Sequence, residues 1–137
     1  MSEVEKRIMV VDDSSVMRKV LSDLFKEDEK VKIEATASNG EDALSKLTSV
    51  KPDLILLDIE MPKMNGLEFL RHARLKSKAK IVVLSSVTGL GSEKAAKALK
   101  LGAKAVVSKP SGAVSIDLKE KCGSQLKDTV YKVLSIN

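Results

Sequence analysis

Five strand-like runs alternate with five segments in which apolar residues recur at helical spacing, and this alternation constrains the chain more than any other feature. The runs cover residues 7–11, 31–38, 53–58, 80–86 and 103–109. Short apolar runs without in/out alternation are typical of strands buried on both faces, as in a parallel sheet covered by helices. The order of the segments therefore predicts an α/β fold in which a five-stranded parallel sheet is flanked by five helices.

The intervening segments predict helices at about residues 16–25, 43–50, 67–73, 95–99 and 118–134. Either Asp13 or Ser14 is expected to cap the first helix, and Gly102 to end the fourth. Gly66 is expected to open a turn, and residues 111–117 to form a loop. No composition shift or repeat divides the chain, so residues 1–137 are predicted to form a single domain.

The composition is typical of a soluble globular protein and not of a membrane protein. Apolar residues make up 43% of the chain and charged residues 31%, as in soluble globular proteins. The apolar runs are much shorter than the ~20 residues that span a bilayer, and the N-terminus lacks a secretion signal. Cys122 is the single cysteine, so no internal disulfide can form. We therefore expect a cytoplasmic location and no membrane partner.

The net charge of +5 raises the question of nucleic-acid binding. However, the 24 basic residues are mixed with 19 acidic ones, and the aromatic residues available for base stacking are only Phe25, Phe69 and Tyr131. This pattern is typical of solvated surfaces, so we expect no nucleic-acid partner.

Polar residues end four of the five predicted strands. These residues are the pair Asp12 and Asp13, then Asp58, Ser85 and Lys109. Ligands of an open parallel sheet bind beyond the carboxyl ends of its strands, so the five side chains are expected to converge at one edge. Each is unremarkable alone, because aspartates often cap helices or lie in turns. Their joint placement is what indicates a site.

This set of side chains suits metal-assisted phosphoryl chemistry. Two carboxylates about 4 Å apart repel by roughly 4 kcal/mol at an effective dielectric constant of 20, and a hard divalent cation relieves that repulsion. Oxygen ligands favour Mg²⁺. The cation and Lys109 would neutralise phosphoryl oxygens, Ser85 would donate a hydrogen bond, and one carboxylate would serve as the nucleophile.

Four motifs resemble the response-regulator receiver family: VVDDSSVMRKVL, PDLILLDIEMPKMNGLEFL, IVVLSS and GAKAVVSKPSG. The resemblance runs from Ile8 to about Leu134. Within the family, the chain looks most like the receiver portion of chemotaxis protein-glutamate methylesterases. It implies a flavodoxin-like (βα)5 receiver fold and a role in two-component signalling.

The resemblance also implies roles for individual residues. Asp58 would accept the phosphoryl group and contribute to Mg²⁺ binding. Asp13 would bind Mg²⁺ directly, Asp12 directly or through water, and Glu60 through its main-chain carbonyl. Lys109 would pair with Asp58 and then with the phosphoryl group.

Ser85 would stand at the hydroxyl position that senses the phosphoryl group. The bond between Lys109 and Pro110 would be cis. The donor would be a phosphohistidine of a histidine kinase, of the chemotaxis type. The chain would be a regulatory phosphoacceptor that catalyses only its own phosphotransfer and dephosphorylation. Its output would act on a downstream protein or on a C-terminal effector domain.

The chain departs from the family at Val106. Receivers usually carry an aromatic residue three positions before the lysine, and that aromatic turns inward when the hydroxyl residue moves toward the phosphoryl group. Valine has too little bulk and too few rotamers to repeat this motion. We therefore expect a different switch, a loop shift around Ser85 to Thr88.

Three other functions fit part of the pattern. A haloacid-dehalogenase-type phosphatase also uses an aspartate nucleophile, but it requires a second aspartate two residues later as the general acid, and this chain has Glu60 there. A methylesterase separated from its catalytic portion would leave only a receiver, and the chain has no Gly-x-Ser-x-Gly motif. The third is a binding module that works without phosphorylation, against which the intact set of acidic residues argues.

Overall fold

A computed structural model describes residues 5–59, 66–85, 93–109 and 116–136. Its elements in chain order are β1 (Lys6–Val11), α1 (Ser15–Leu24), β2 (Val31–Ala37), α2 (Gly40–Val50), β3 (Leu54–Asp58), α3 (Gly66–Lys76), β4 (Lys80–Ser85), α4 (Glu93–Lys100), β5 (Ala105–Ser108) and α5 (Ile116–Val133). The predicted α/β fold, with five parallel strands and five helices, is confirmed.

The strands form one parallel sheet in the order β2-β1-β3-β4-β5. The chain turns to one side of β1 to make β2 and to the other side to make β3, so the carboxyl ends of β1 and β3 flank the point where the strand order reverses. In register, Val11 pairs with Leu57, and Asp58 pairs with Leu84. The residues that follow these positions therefore lie at the same edge of the sheet.

Two apolar clusters cover the two faces of the sheet. Along β1, Ile8 and Val10 pack on the face of α1 and α5, whereas Met9 and Val11 pack on the face of α2, α3 and α4. All four side chains have no solvent exposure. Burial on both faces explains why the central strands are continuous apolar runs without alternation.

The helix ends agree with the sequence in part. Ser14, rather than Asp13, caps α1, because its Oγ accepts a hydrogen bond from the N–H of Met17 at 3.2 Å. Gly102 follows α4 with a φ of 113°, a left-handed conformation that suits glycine, as expected.

Two boundaries differ from the prediction. The turn expected at Gly66 is wrong, since Gly66 begins α3. Ile116 and Asp117 belong to α5 rather than to the expected loop, whose other residues lie outside the described ranges. Within those ranges, no helix combines the length and the apolar character needed to cross a membrane.

Candidate functional site

Asp12 follows the last residue of β1 and is completely buried. Its N–H donates to the carbonyl of Ala37 at 3.0 Å, and its Oδ1 accepts from the N–H of Ser14 at 2.9 Å. Its own carbonyl accepts from Nη1 of Arg18 at 2.7 Å. These contacts leave Oδ2, which makes no hydrogen bond with any described residue. The side chain of Asp12 is thus fixed by its Oδ1, and its Oδ2 lies 3.8 Å from Nζ of Lys109.

Asp58 ends β3 and is also completely buried. Lys109 follows β5, and its Nζ lies 3.0 Å from Oδ1 of Asp58 and 3.8 Å from Oδ2 of Asp12. The N–H of Lys109 donates to the carbonyl of Ser85 at 2.8 Å, which holds the lysine against the end of β4. One ammonium group therefore joins two carboxylates from neighbouring strands.

Asp13 completes an acidic cluster at this edge. One carboxylate oxygen from each of Asp12, Asp13 and Asp58 lies within 4.8 Å of the others. At that separation the two buried carboxylates repel by roughly 3 kcal/mol if the effective dielectric constant is 20. Lys109 supplies one positive charge against three negative ones. A buried Asp12 oxygen without a hydrogen bond and a cluster of oxygen donors fit a hard divalent cation such as Mg²⁺.

Burial raises the pKa of Asp12 to about 6. The hydrogen bond from the N–H of Ser14 lowers this pKa, the charge of Asp58 raises it, Lys109 lowers it and Asp13 raises it. Burial and the neighbouring carboxylates together outweigh the two opposing contacts. The acidic cluster is consequently strained electrostatically unless further positive charge enters it.

Of the remaining predicted site residues, the structure describes Ser85 and Val106 but not Glu60. Ser85 ends β4 with a buried Oγ that makes no hydrogen bond with the described part of the chain. Val106 lies half-buried on β5, pairs with Val83 in register, and packs against the α2, α3 and α4 face. The main-chain carbonyl of Glu60 and the cis bond before Pro110 lie outside the described residues and stay predictions, as does a shift of residues 86–88.

Arg18 contacts the acidic cluster through Asp12, and nothing in the sequence predicted this contact. It lies half-buried in α1 and reaches back to the carbonyl of Asp12. The signal available in the sequence was a basic residue near a helix N-terminus, where the helix dipole does not favour positive charge. That signal alone does not distinguish Arg18 from other surface arginines.

Comparison with known proteins identifies the family. Residues 8–119 match the family described as the response regulator receiver domain. A protein-glutamate methylesterase/protein-glutamine glutaminase of Oceanobacillus iheyensis is 42% identical over 113 residues, which are 82% of this chain and 32% of that protein. The chain spans about a third of the length of the curated relatives it matches.

Solved structures agree with this assignment. The response regulator domain of Thermotoga maritima CheB matches with a TM-score of 0.85 at 32% identity, covering 98% of this chain and 99% of that one. A chain in the crystal structure of the P1 domain of CheA3 in complex with CheY6 from R. sphaeroides matches with a TM-score of 0.79 at 47% identity, covering 95% of this chain and 97% of that one. The family match and these likenesses show that the chain belongs to the response regulator receiver domains.

Proposed function

We propose that this chain accepts a phosphoryl group on Asp58 with the help of Mg²⁺ and relays a chemotaxis-type two-component signal. The observation that carries the proposal is the contact of Lys109 with both Asp58 and Asp12, at 3.0 Å and 3.8 Å, beside acidic oxygens within 4.8 Å of one another. Asp12, Asp13, Asp58 and the main-chain carbonyl of Glu60 would hold the cation.

The chemistry is a direct transfer between two nucleophiles. A carboxylate oxygen of Asp58 attacks the phosphorus, the bond from phosphorus to the donor's histidine nitrogen breaks, and that nitrogen keeps the electron pair. The product on this chain is an acyl phosphate. Bound Mg²⁺ supplies charge that neutralises phosphoryl oxygens. Lys109 neutralises another oxygen, and the buried hydroxyl of Ser85 donates a hydrogen bond to a third.

A histidine kinase of the chemotaxis type is the proposed donor. A solved structure with 47% identity contains the P1 domain of CheA3 in complex with CheY6, and another contains the phosphorylated P1 domain. The curated relatives are methylesterases of which this chain covers only a part, so the signal would pass to a downstream protein or to a C-terminal effector domain. We propose a regulatory role at Asp58 rather than turnover of a substrate.

The output signal is proposed to travel through the end of β4. Val106 is half-buried and lacks the aromatic ring that usually moves in receivers, whereas Ser85 carries a buried hydroxyl at the end of β4, the strand next to β3. We expect beryllofluoride to shift the amide signals of Ser85 and of the loop after it. Shifts confined to the acidic cluster would contradict a switch of this kind.

Intact mass after incubation with acetyl phosphate and Mg²⁺ tests the central proposal. The wild type is expected to gain one phosphoryl group, and Asp58→Asn to gain none. Asp53→Asn is the matched control, because Asp53 precedes the same strand at its opposite end and accepts a hydrogen bond from the N–H of Arg7 that asparagine can also accept. An unmodified wild type, or a modified Asp58→Asn protein, would overturn the proposal.

Lys109→Ala tests the role of the ammonium group. This variant is expected to keep some phosphorylation, because the acidic cluster that would hold the cation remains. It is expected to lose most of the amide shifts around Ser85, since the ammonium group that contacts Asp58 is removed while the main-chain hydrogen bond to the carbonyl of Ser85 remains. An unchanged pattern of shifts would remove Lys109 from the output pathway.

A further inference from the structure

Arg18 occupies a position that helix electrostatics do not favour. Its N–H bonds to the carbonyl of Ser14 at 3.0 Å, so it lies one turn from the N-terminal cap of α1. A positive charge near a helix N-terminus opposes the helix dipole, and here it also stands beside a cluster that fits a cation. A specific contact offsets the unfavourable dipole. The contact is the hydrogen bond from Nη1 to the carbonyl of Asp12 at 2.7 Å.

That contact is one of three hydrogen bonds that Asp12 makes within the described part of the chain. The other two are the hydrogen bond from its N–H to the carbonyl of Ala37 and the one that its Oδ1 accepts from the N–H of Ser14. Of these three hydrogen bonds, the one from Arg18 is donated by a side chain, and it links the turn between β1 and α1 to the body of the helix. Lys109 also contacts Oδ2 of Asp12, as an ion pair at 3.8 Å. Donation by a charged group makes the hydrogen bond from Arg18 stronger than an ordinary neutral one.

We propose that Arg18 is a positioning residue for the metal site. Its hydrogen bond to the carbonyl of Asp12 restricts main-chain rotation in the turn that contains Asp12 and Asp13. The carboxylates of these two residues are thereby kept close to Asp58. This inference rests on the proposed binding of Mg²⁺. Groups that orient metal ligands without touching the metal commonly change metal affinity by about 10-fold to 100-fold when removed.

The charge of Arg18 and its hydrogen bond act on Mg²⁺ in opposite directions. Removing a positive charge near the cluster favours binding of a cation. Removing the hydrogen bond loosens the turn and disfavours binding. The sign of the change in Mg²⁺ affinity therefore distinguishes a positioning residue from a residue that acts only through its charge.

Arg18→Met removes both the charge and the hydrogen bond, whereas Arg18→Lys keeps the charge and a donor on a shorter, less rigid side chain. Arg74→Met is the matched control. Arg74 also donates from Nη1 to a main-chain carbonyl, that of Leu101. This contact joins the end of α3 to the residue after α4, where the chain leads into the starts of β4 and β5, whereas the acidic cluster lies at the carboxyl ends of β1 and β3. The control loses an equivalent contact without touching Asp12.

Titration calorimetry with Mg²⁺ alone, without a phosphoryl donor, is the first measurement. We expect the Kd to rise about 10-fold in Arg18→Met and less in Arg18→Lys, and to stay unchanged in Arg74→Met. Hydrogen exchange in the presence of a chelator is the second. The amides of Asp12 and Ser14 are expected to exchange faster in Arg18→Met than in the wild type or in Arg74→Met.

The rate of modification by acetyl phosphate provides a third readout. Arg18→Met is expected to be slower at low Mg²⁺ and to approach the wild-type rate at saturating Mg²⁺, because the defect lies in binding. Unchanged or tighter Mg²⁺ binding in Arg18→Met would overturn the positioning role while leaving the proposed function intact. A wild type that binds no Mg²⁺ would overturn the proposed function itself. If Arg18→Met does not fold, the comparison of Arg18→Lys with Arg74→Met decides, and equal Kd values would refute the inference.

Discussion

Replacing Asp12 with asparagine is expected to stabilise the protein when no divalent cation is present. The pKa of Asp12 is raised from 3.8 to about 6, chiefly by burial. A shift of this size corresponds to about 3 kcal/mol of unfavourable free energy for the charged form at neutral pH. Asparagine has nearly the same shape, carries no charge, and its Oδ1 can still accept from the N–H of Ser14.

The effect has a definite pH dependence. A carboxyl whose pKa is raised by folding stabilises the folded protein below the pKa of the unfolded chain, near 4, and that contribution is lost as the pH rises through about 6. Asp12→Asn should therefore exceed the wild type in free energy of unfolding by up to about 3 kcal/mol at pH 7. The difference should shrink toward zero near pH 4.

Urea unfolding in a chelating buffer at pH 7 and pH 4.5 measures both differences. Asp13→Asn is the control, because Asp13 lies next to Asp12 but is exposed. It should change the free energy of unfolding by less than about 1 kcal/mol. Adding Mg²⁺ at about 100 times its Kd should stabilise the wild type by about 2.7 kcal/mol, and Asp12→Asn by much less.

Two results would refute the reasoning about Asp12. One is a variant that is less stable than the wild type at pH 7 without Mg²⁺, which would mean that the charged form is favoured by its surroundings. The other is a stability difference that does not change between pH 7 and pH 4.5, which would mean that the effect does not come from ionisation.

Two further predictions concern α5. Tyr131→Phe should destabilise the protein by about 1 kcal/mol, because the hydroxyl of Tyr131 donates to Oδ2 of Asp28. Partial burial raises the pKa of Asp28, but hydrogen bonds outweigh it and hold this pKa below its usual range, and the bond from Tyr131 has the largest effect among them. The same bond raises the pKa of Tyr131 to about 12. Urea unfolding should show a constant difference between about pH 5 and pH 9 that shrinks in strong acid, as Asp28 is protonated, and is lost as the pH rises from about 10 through about 12, as Tyr131 ionises; a difference as large at about pH 11 as at pH 7 would contradict this. Gly123→Ala should raise the thermal midpoint, since alanine favours the helix by up to about 1 kcal/mol and the new Cβ would lie 3.3 Å from the flexible, half-buried end of Leu24; a lower midpoint would show that α1 and α5 leave no room for it.

The sequence predicted the sheet well because its strands are buried on both faces. Continuous apolar runs such as that of β3 have few other interpretations once helical segments alternate with them. The convergence of Asp12, Asp58 and Lys109 also followed, since the carboxyl ends of parallel strands must lie at one edge. These inferences depend on topology rather than on the detail of side-chain packing.

The details that escaped prediction depend on contacts between distant side chains and main chain. The sequence allowed Asp13 or Ser14 as the cap of α1, and only the position of the Ser14 hydroxyl decides between them. Arg18 looks like any surface arginine until its guanidinium is found on the carbonyl of Asp12. Gly123 looked unfavourable within a helix, and only the structure shows that an added Cβ would lie 3.3 Å from the side chain of Leu24.

The pairing of Lys109 with Asp58 has a consequence for the protein while it is being made. Asp58 is translated well before β5, and until β5 follows, the aspartate lacks its ammonium partner and the strand order of the sheet is incomplete. A nascent chain that ends in α4 contains Asp58 but cannot complete the surroundings of its carboxylate. The ion pair of Asp58 with Lys109 therefore forms only after the last strand has been made.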